Sequence, residues 1–466
     1  MGAIAALFSE RGGACLGLLS MLRAMGRRGG KLWLSDGSRV IQNFEKVEPV
    51  EARTCIGAVY EKRPVLEAGN GFAFALDGHF YPPREVDGVR AALHASFEDL
   101  GRLLLGWDGA YAFTALKEDL IMVGRDPLGL KPLYYGSSRD LWAFSSEKKA
   151  LWALGLEAEA FPPGYVLTVG PEGARWEAVR PLRRVPTRPM GVEEAVSLLS
   201  NCLEEAVMKR VQGLHACALG FSGGLDSGLL ASLVASCGVD LQLISVGLEG
   251  SRELEWVGEA AKLLGLRLHR CVYQPRQVEE CLPEVLWAIE ADDPLKASIA
   301  IPIYWTACEA KSLGLDWLLA GQGADELFAG YHRHLRVYRE RGAEALVRVL
   351  FEDVAKSPEE NFARDEKVCA SAGVELLLPY MDWSLVQLAL SIPPELKIRG
   401  GVRKWILRQT AKRLGLPSEI ADREKKAVQY ATGVYGVLRR LAKARGLKLR
   451  EYLHQVFVEV SEAGGP

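Results

Sequence analysis

Ser222-Gly223-Gly224-Leu225-Asp226-Ser227 sets two hydroxyls and a carboxylate around a pair of glycines. Adjacent glycines let the backbone turn its N–H groups toward one point and let an anion come close. A helix beginning there adds partial positive charge at the same point. Ser222 and Ser227 supply further donors. Asp226 would repel a phosphate unless a divalent cation lay between them, and Mg²⁺ suits that position. The chemistry is that of holding the pyrophosphate part of a nucleotide. A plain strand-to-helix turn accounts for the Gly-Gly pair but leaves Ser, Asp and Ser unexplained. The stretch lacks the spacing and the lysine of a Gly-x-x-x-x-Gly-Lys-Ser/Thr loop. A second loop, Gly321-Gln322-Gly323-Ala324-Asp325-Glu326, brings paired acids to a glycine turn. Asp325 there can join Asp226 as a metal ligand, with substrate phosphates completing the shell. Acidic residues at a helix start are the plainer alternative; the neighbouring pyrophosphate loop tips the reading to the metal.

These loops need a frame. An apolar run, Ala216-Cys217-Ala218-Leu219-Gly220, precedes the first, and Leu225, Leu229, Leu230, Leu233, Val234 and Cys237 recur after it at helical spacing. Residues 241–248 and 315–320 read as further parallel strands. An open parallel sheet binds ligands beyond its carboxyl ends, which gathers residues 222–227, 321–326 and Ser245-Val246-Gly247 around one crevice. Residues 1 to about 165 differ: frequent glycines and short alternating runs, such as 71–78 and 109–116, predict stacked antiparallel sheets covered by helices. Residues 172–191, rich in Arg, Pro and Gly, read as a linker between a domain at 1–171 and one at 192–466.

Composition excludes several classes. At 466 residues, 49% apolar and 25% charged, the chain is of the ordinary globular kind with ample core. A net charge of −2 gives no electrostatic case for nucleic acid or an anionic membrane. Nine scattered cysteines without a Cys-x-x-Cys read as buried free thiols of a reducing cytosol. No apolar run approaches a membrane span, and the short patch at residues 3–8 meets charge too soon for a signal peptide. The expected location is cytoplasmic.

The Ser222–Ser227 hexapeptide matches the signature of ATP pyrophosphatases. Together with Gly321-Gln322-Gly323-Ala324-Asp325-Glu326-Leu327-Phe328-Ala329-Gly330-Tyr331, Leu378-Pro379-Tyr380-Met381-Asp382 and Arg423-Glu424-Lys425, it resembles glutamine-dependent asparagine synthetases in order and spacing. The first half carries Arg125-Asp126-Pro127-Leu128-Gly129-Leu130-Lys131-Pro132-Leu133-Tyr134-Tyr135-Gly136 and Ser145-Ser146-Glu147, similar to the glutaminase domain of class II amidotransferases. The resemblance implies an α/β protein: an N-terminal Ntn-type αββα sandwich, then an ATP-pyrophosphatase domain with a parallel sheet. It also implies an ATP- and Mg²⁺-dependent ligase that adenylates a carboxylate, aspartate by default, and releases pyrophosphate before ammonia displaces AMP. By carry-over, Ser222, Gly223, Gly224, Leu225, Asp226, Ser227, Gly321 and Gly323 flank the phosphates. Ser245, Val246, Gly247 and Glu253 flank the adenosine, Asp226 and Asp325 hold Mg²⁺, and Lys425 steadies charge at the α-phosphate. As a lone charge among Arg423, Glu424 and Lys426, Lys425 would otherwise read as solvated.

The pattern breaks in places. A glutaminase of this kind uses an N-terminal cysteine as nucleophile, whereas residue 2 is Gly; Cys15 has its nitrogen in a peptide bond and is no substitute. Where an Asn-Gly pair would support an oxyanion stands Asp77-Gly78, an acid. The first domain is therefore expected to fold without hydrolysing glutamine, leaving free ammonia as nitrogen donor. In the second domain, Gln322 replaces a glutamate that could take a proton, and Leu377 replaces an arginine. Relatives that close β-lactam rings or macrocyclise peptides, and a nucleotide-binding regulator without turnover, stay open as alternatives. Small-molecule partners are expected, with a homodimer left open. Glu290, Asp293 and Ser298 are candidates to line the acceptor pocket, though acidic residues on a solvated helix end account for them more simply.

Overall fold

Strand Gly2–Ser9 is the central strand of the first sheet, and its nearly unbroken apolar run follows from burial on both faces. Ala3, Ala5 and Leu7 pack on helix Ala14–Ala24, while Ile4, Ala6 and Phe8 face a second sheet. The computed structural model describes residues 2–26, 31–42, 52–60, 66–81, 96–423 and 432–466. The chain divides into two compact units, Met1–Arg183 and Arg184–Pro466.

In the first unit, a seven-stranded and a six-stranded antiparallel sheet face each other. Between them lie Ile56, Ala58, Ala73, Ala75, Leu116 and Val123 among others. Helix Ala14–Ala24 covers the outer face of one sheet. Helix Phe97–Leu105, whose Phe97, Leu100 and Leu104 share one face, covers Phe74, Tyr111 and Phe113 of the other. This is the expected αββα sandwich. The alternating runs at 71–78 and 109–116 form strands Phe72–Phe80 and Gly109–Lys117, paired antiparallel with Phe74 opposite Ala115. The first part of the predicted linker is instead strand Gly173–Ala178, paired with Tyr165–Gly170 at a sheet edge. Its residues are mostly exposed, so no apolar alternation marked it.

The second unit holds a five-stranded parallel sheet in the order Leu268–Tyr273, Asp240–Leu248, Ala216–Gly220, Trp317–Leu319, Glu375–Leu377. Strand Ala216–Gly220 lies between neighbours reached by crossovers in opposite directions, so the order reverses beside it. Leu219 pairs with Leu319, so the loops leaving these two strands emerge side by side. That reversal is where an open sheet splits its loops and leaves a crevice. Among the described residues, no helix is long and apolar enough to cross a membrane.

Candidate active site

The loop after Ala216–Gly220 turns through Gly223, whose φ of 66° is in the region glycine favours. A Cβ there would also lie 2.8 Å from the Trp256 indole nitrogen, which donates to the Gly223 carbonyl. Gly224 then caps helix Leu225–Ser236 with extended backbone. The Ser227 hydroxyl accepts the Ser222 N–H at 3.2 Å and lies 3.1 Å from the Ser222 hydroxyl, tying both ends of the loop together. Asp226 stands in the first turn of that helix and is buried.

Beside it, Gly323, with φ 93°, starts the short helix Ala324–Leu327 carrying Asp325 and Glu326. Asp226 and Asp325 converge. The Lys404 ammonium lies 2.7 Å from both Asp226 carboxylate oxygens and 2.7 Å from Asp325 Oδ1. The space is tight: a Cβ on Gly330 would sit 1.8 Å from Asp325 Oδ1 and 2.3 Å from Lys404 Cε, and one on Gly321 3.2 Å from Asp226 Cβ. The Tyr380 hydroxyl donates to the Asp226 carbonyl at 3.1 Å; burial, with Asp226 and Asp325 adding to it, pushes its pKa up and keeps it a donor. Glu326 accepts from the Tyr331 hydroxyl at 2.6 Å and from the Asn361 amide at 3.1 Å. Burial, then the neighbouring acids, likewise hold the Tyr331 hydroxyl protonated.

Of the residues predicted from sequence, 222–227, Gly321, Gly323 and Asp325 meet around this point. Ser245, Val246 and Gly247 lie toward the carboxyl end of strand Asp240–Leu248, next to Ala216–Gly220 in the sheet. Glu253 lies on helix Arg252–Leu264, and Lys425 lies outside the described residues. Gln322 is committed elsewhere: its amide donates to Asp365 Oδ2 at 2.6 Å. Burial raises the Asp365 pKa, and Arg364, 2.7 Å from its other oxygen, opposes that rise. Leu377 is buried, its carbonyl accepting from the Ala320 N–H.

The expectation of a solvated helix end holds for Asp293, which is exposed, and is corrected for Glu290 and Ser298, which are buried. Glu290 is not solvated; it is buried in an ion pair with Lys367. Asp293 caps helix Pro294–Ser312 through the Lys296 N–H, and the Ser298 hydroxyl donates to the Leu295 carbonyl. Lys404 was missed altogether. The signal available was a lone lysine between the Gly400-Gly401 turn and helix Trp405–Arg413.

The donor set fits a hard divalent cation. Two buried carboxylates already share one positive charge, and such a cation takes one or two carboxylates and leaves its other positions to phosphate and water. Among the described residues no cluster of three or more His, Cys, Asp or Glu offers a complete protein cage. The arrangement suits a metal arriving with a nucleotide.

In the first unit, Asp77 is buried, its Oδ2 accepting from the Ser146 hydroxyl at 2.8 Å and its Oδ1 lying 3.9 Å from Lys131 Nζ. Ser146 in turn accepts the Ile4 N–H at 3.0 Å. The acid is thus tied into the sandwich interior, and no amide donor stands at this position.

The asparagine synthase family profile matches residues 198–365 and 338–459, and a glutamine amidotransferase domain profile matches residues 84–153. A Methanocaldococcus jannaschii protein provisionally named glutamine-hydrolyzing asparagine synthetase 1 is 31% identical over 94% of this chain and 94% of its own length. The glutamine-hydrolyzing asparagine synthetase of Triphysaria versicolor is 30% identical over 70% of this chain, which spans 58% of that enzyme. Among solved structures, glutamine phosphoribosylpyrophosphate amidotransferase of B. subtilis matches 58% of this chain and 81% of its own at 15% identity, with a TM-score of 0.35. With a matched profile running from 198 to 459 and identity along nearly the full length of the archaeal relative, the chain belongs to the asparagine synthetase family of ATP-dependent carbon–nitrogen ligases.

Proposed function

We propose that the second unit activates the side-chain carboxylate of aspartate with ATP and transfers it to free ammonia. The observation that carries this reading is the convergence of Asp226 and Asp325 beside the 222–227 loop. The serine hydroxyls and the N–H groups at the start of helix Leu225–Ser236 hold the pyrophosphate portion of ATP. Mg²⁺ between the two aspartates would neutralise the charge that builds on the leaving pyrophosphate. A substrate carboxylate oxygen attacks the α-phosphorus, the bond to the bridging oxygen breaks, and pyrophosphate leaves. Lys425, by family resemblance, steadies the charge on the α-phosphate in that step. Ammonia then adds to the acyl carbon and AMP departs, leaving the amide; the proton that nitrogen sheds passes to the departing AMP phosphate or to water. Gln322, already bonded to Asp365, cannot take that proton.

Two features support free ammonia rather than glutamine. Gly2 offers no nucleophile, and Asp77, held by Ser146, presents a carboxylate where an oxyanion would need a donor. ATP–pyrophosphate exchange measured across a panel of carboxylates tests the proposal. Exchange that depends on aspartate is expected, and Asp226→Asn should lower it about ten-fold or more. Exchange with another carboxylate alone would move the protein to the ring-closing or macrocyclising class. Absence of exchange with every carboxylate, while ATP still binds, would leave a nucleotide-binding regulator.

A further inference from the structure

Lys404 holds the point at which the two aspartates would share a metal ion. Four features place it there. The hairpin Ile398–Arg399 and Val402–Arg403 turns through Gly400-Gly401, both at positive φ, and delivers Lys404 at the hairpin's end. Lys404 itself adopts φ 55°, a conformation residues with a Cβ seldom take, and so caps helix Trp405–Arg413 with its side chain turned inward. Arg403 straps the same hairpin to the Gly330 carbonyl and contacts His332 at 3.2 Å. Gly330, lacking a Cβ, leaves the room that Lys404 Cε and Asp325 occupy.

The charges decide what this means. Asp226, Asp325 and Lys404 together carry one net negative charge, so the ammonium offsets the two carboxylates only in part. A divalent cation added while the ammonium stays would put two cations within contact distance of one another, which only added anion can offset. ATP supplies that anion. We propose that Lys404 is a tethered counter-ion: it holds Asp226 and Asp325 in their active positions and yields its place to the metal readily when nucleotide phosphates arrive to receive the ammonium, and without them only at high metal concentration. This rests on the nucleotide-site reading and adds two consequences. Metal alone binds weakly, and metal and ATP bind with positive coupling.

Mn²⁺ binding followed by electron paramagnetic resonance tests it, with and without a non-hydrolysable ATP analogue. In the wild type, Mn²⁺ alone should bind weakly and the analogue should strengthen binding at least ten-fold. In Lys404→Met, Mn²⁺ without nucleotide should bind at least ten-fold more tightly than in the wild type, and coupling to the analogue should shrink. Equal or weaker Mn²⁺ binding in the folded variant would overturn the proposal. Should that variant fail to fold, the wild type decides the matter. Acylation of Lys404, read by mass spectrometry, should rise at Mn²⁺ concentrations that fill the site without nucleotide, and unchanged labelling would overturn it. The parent reading fails separately: it falls if wild-type protein takes up no Mn²⁺–nucleotide or if Asp226→Asn binds it as the wild type does.

Discussion

Gly330→Ala isolates the packing on which the carboxylate pair depends. Gly330 is outside the positive-φ set, so its backbone accepts alanine; space alone refuses it. The new methyl would lie 1.8 Å from Asp325 Oδ1 and 2.3 Å from Lys404 Cε, where ordinary contact begins at 3.4 Å. Relief needs a shift of roughly 1.6 Å in Asp325 Oδ1 and roughly 1.1 Å in Lys404 Cε, enough to open the 2.7 Å contact between Lys404 and Asp325. Removing one partner of a buried pair costs about 3–5 kcal/mol; alanine displaces the partners and keeps both charges, so about 2–3 kcal/mol is expected. Gly258→Ala serves as control, since it lies within helix Arg252–Leu264 with nothing within 4 Å of its added Cβ. That change should stabilise by about 0.5–1 kcal/mol. Denaturant midpoints of the two variants should therefore move in opposite directions, and pyrophosphate exchange should fall steeply in Gly330→Ala alone. A Gly330→Ala protein with wild-type stability and exchange would refute the account of how Asp226 and Asp325 are held.

Lys397 gives a pH signature of its own: burial pulls its pKa down to about 7. The folded chain then holds that proton less tightly than the unfolded chain, whose lysine titrates near 10.5. Its contribution to stability is complete above the unfolded value and is lost as pH falls through 7. Stability should rise by a few kcal/mol between pH 7 and 10, at about 1.4 kcal/mol per unit, and Lys397→Met should remove that slope; parallel pH profiles for the two proteins would contradict it. Gly2→Cys should not restore glutamine use, because Asp77 stays bonded to Ser146. Ammonia release from glutamine by that variant would show the N-terminal reading to be wrong.

Much of the site was legible because its parts are local. A glycine pair, two serines and an aspartate lie within six residues, and the apolar runs beside them predicted strands observed at Ala216–Gly220, Asp240–Leu248 and Trp317–Leu319. The meeting of the two loops followed from strand order, since crossovers that reverse beside Ala216–Gly220 bring Asp226 and Asp325 together. What escaped was long-range pairing. Lys404 reaches Asp226 across 178 residues, and Lys367 reaches Glu290 across 77. Nothing in the local sequence of Lys404 or Lys367 names a partner so far along the chain. Strand Gly173–Ala178 escaped for another reason: an edge strand with little burial carries no alternation to read.

The first unit shows why a motif match and a reaction must be argued apart. The Arg125–Gly136 run is its most specific resemblance, and the fold uses that run on itself. The buried Arg125 guanidinium donates to the carbonyls of Lys131 at 2.7 Å, Phe161 at 2.8 Å and Gly129 at 3.1 Å. Asp126 accepts the N–H groups of Leu128, Leu130 and Lys131. Its pKa is nonetheless pushed up to about 6, burial outweighing those bonds and the Arg125 charge. A loop that satisfies its own buried charges resists substitution whether or not any chemistry remains beside it, because losing one partner strands another in the interior. Asp77, Ser146 and Lys131 extend that logic inward: the acid that would hinder an oxyanion is itself met by a hydroxyl and an ammonium. In this unit the residues that secure the Arg125–Gly136 run do so through contacts that involve no reaction. The packing of the sandwich therefore gives no measure of whether it hydrolyses glutamine, and the Gly2→Cys assay addresses that directly.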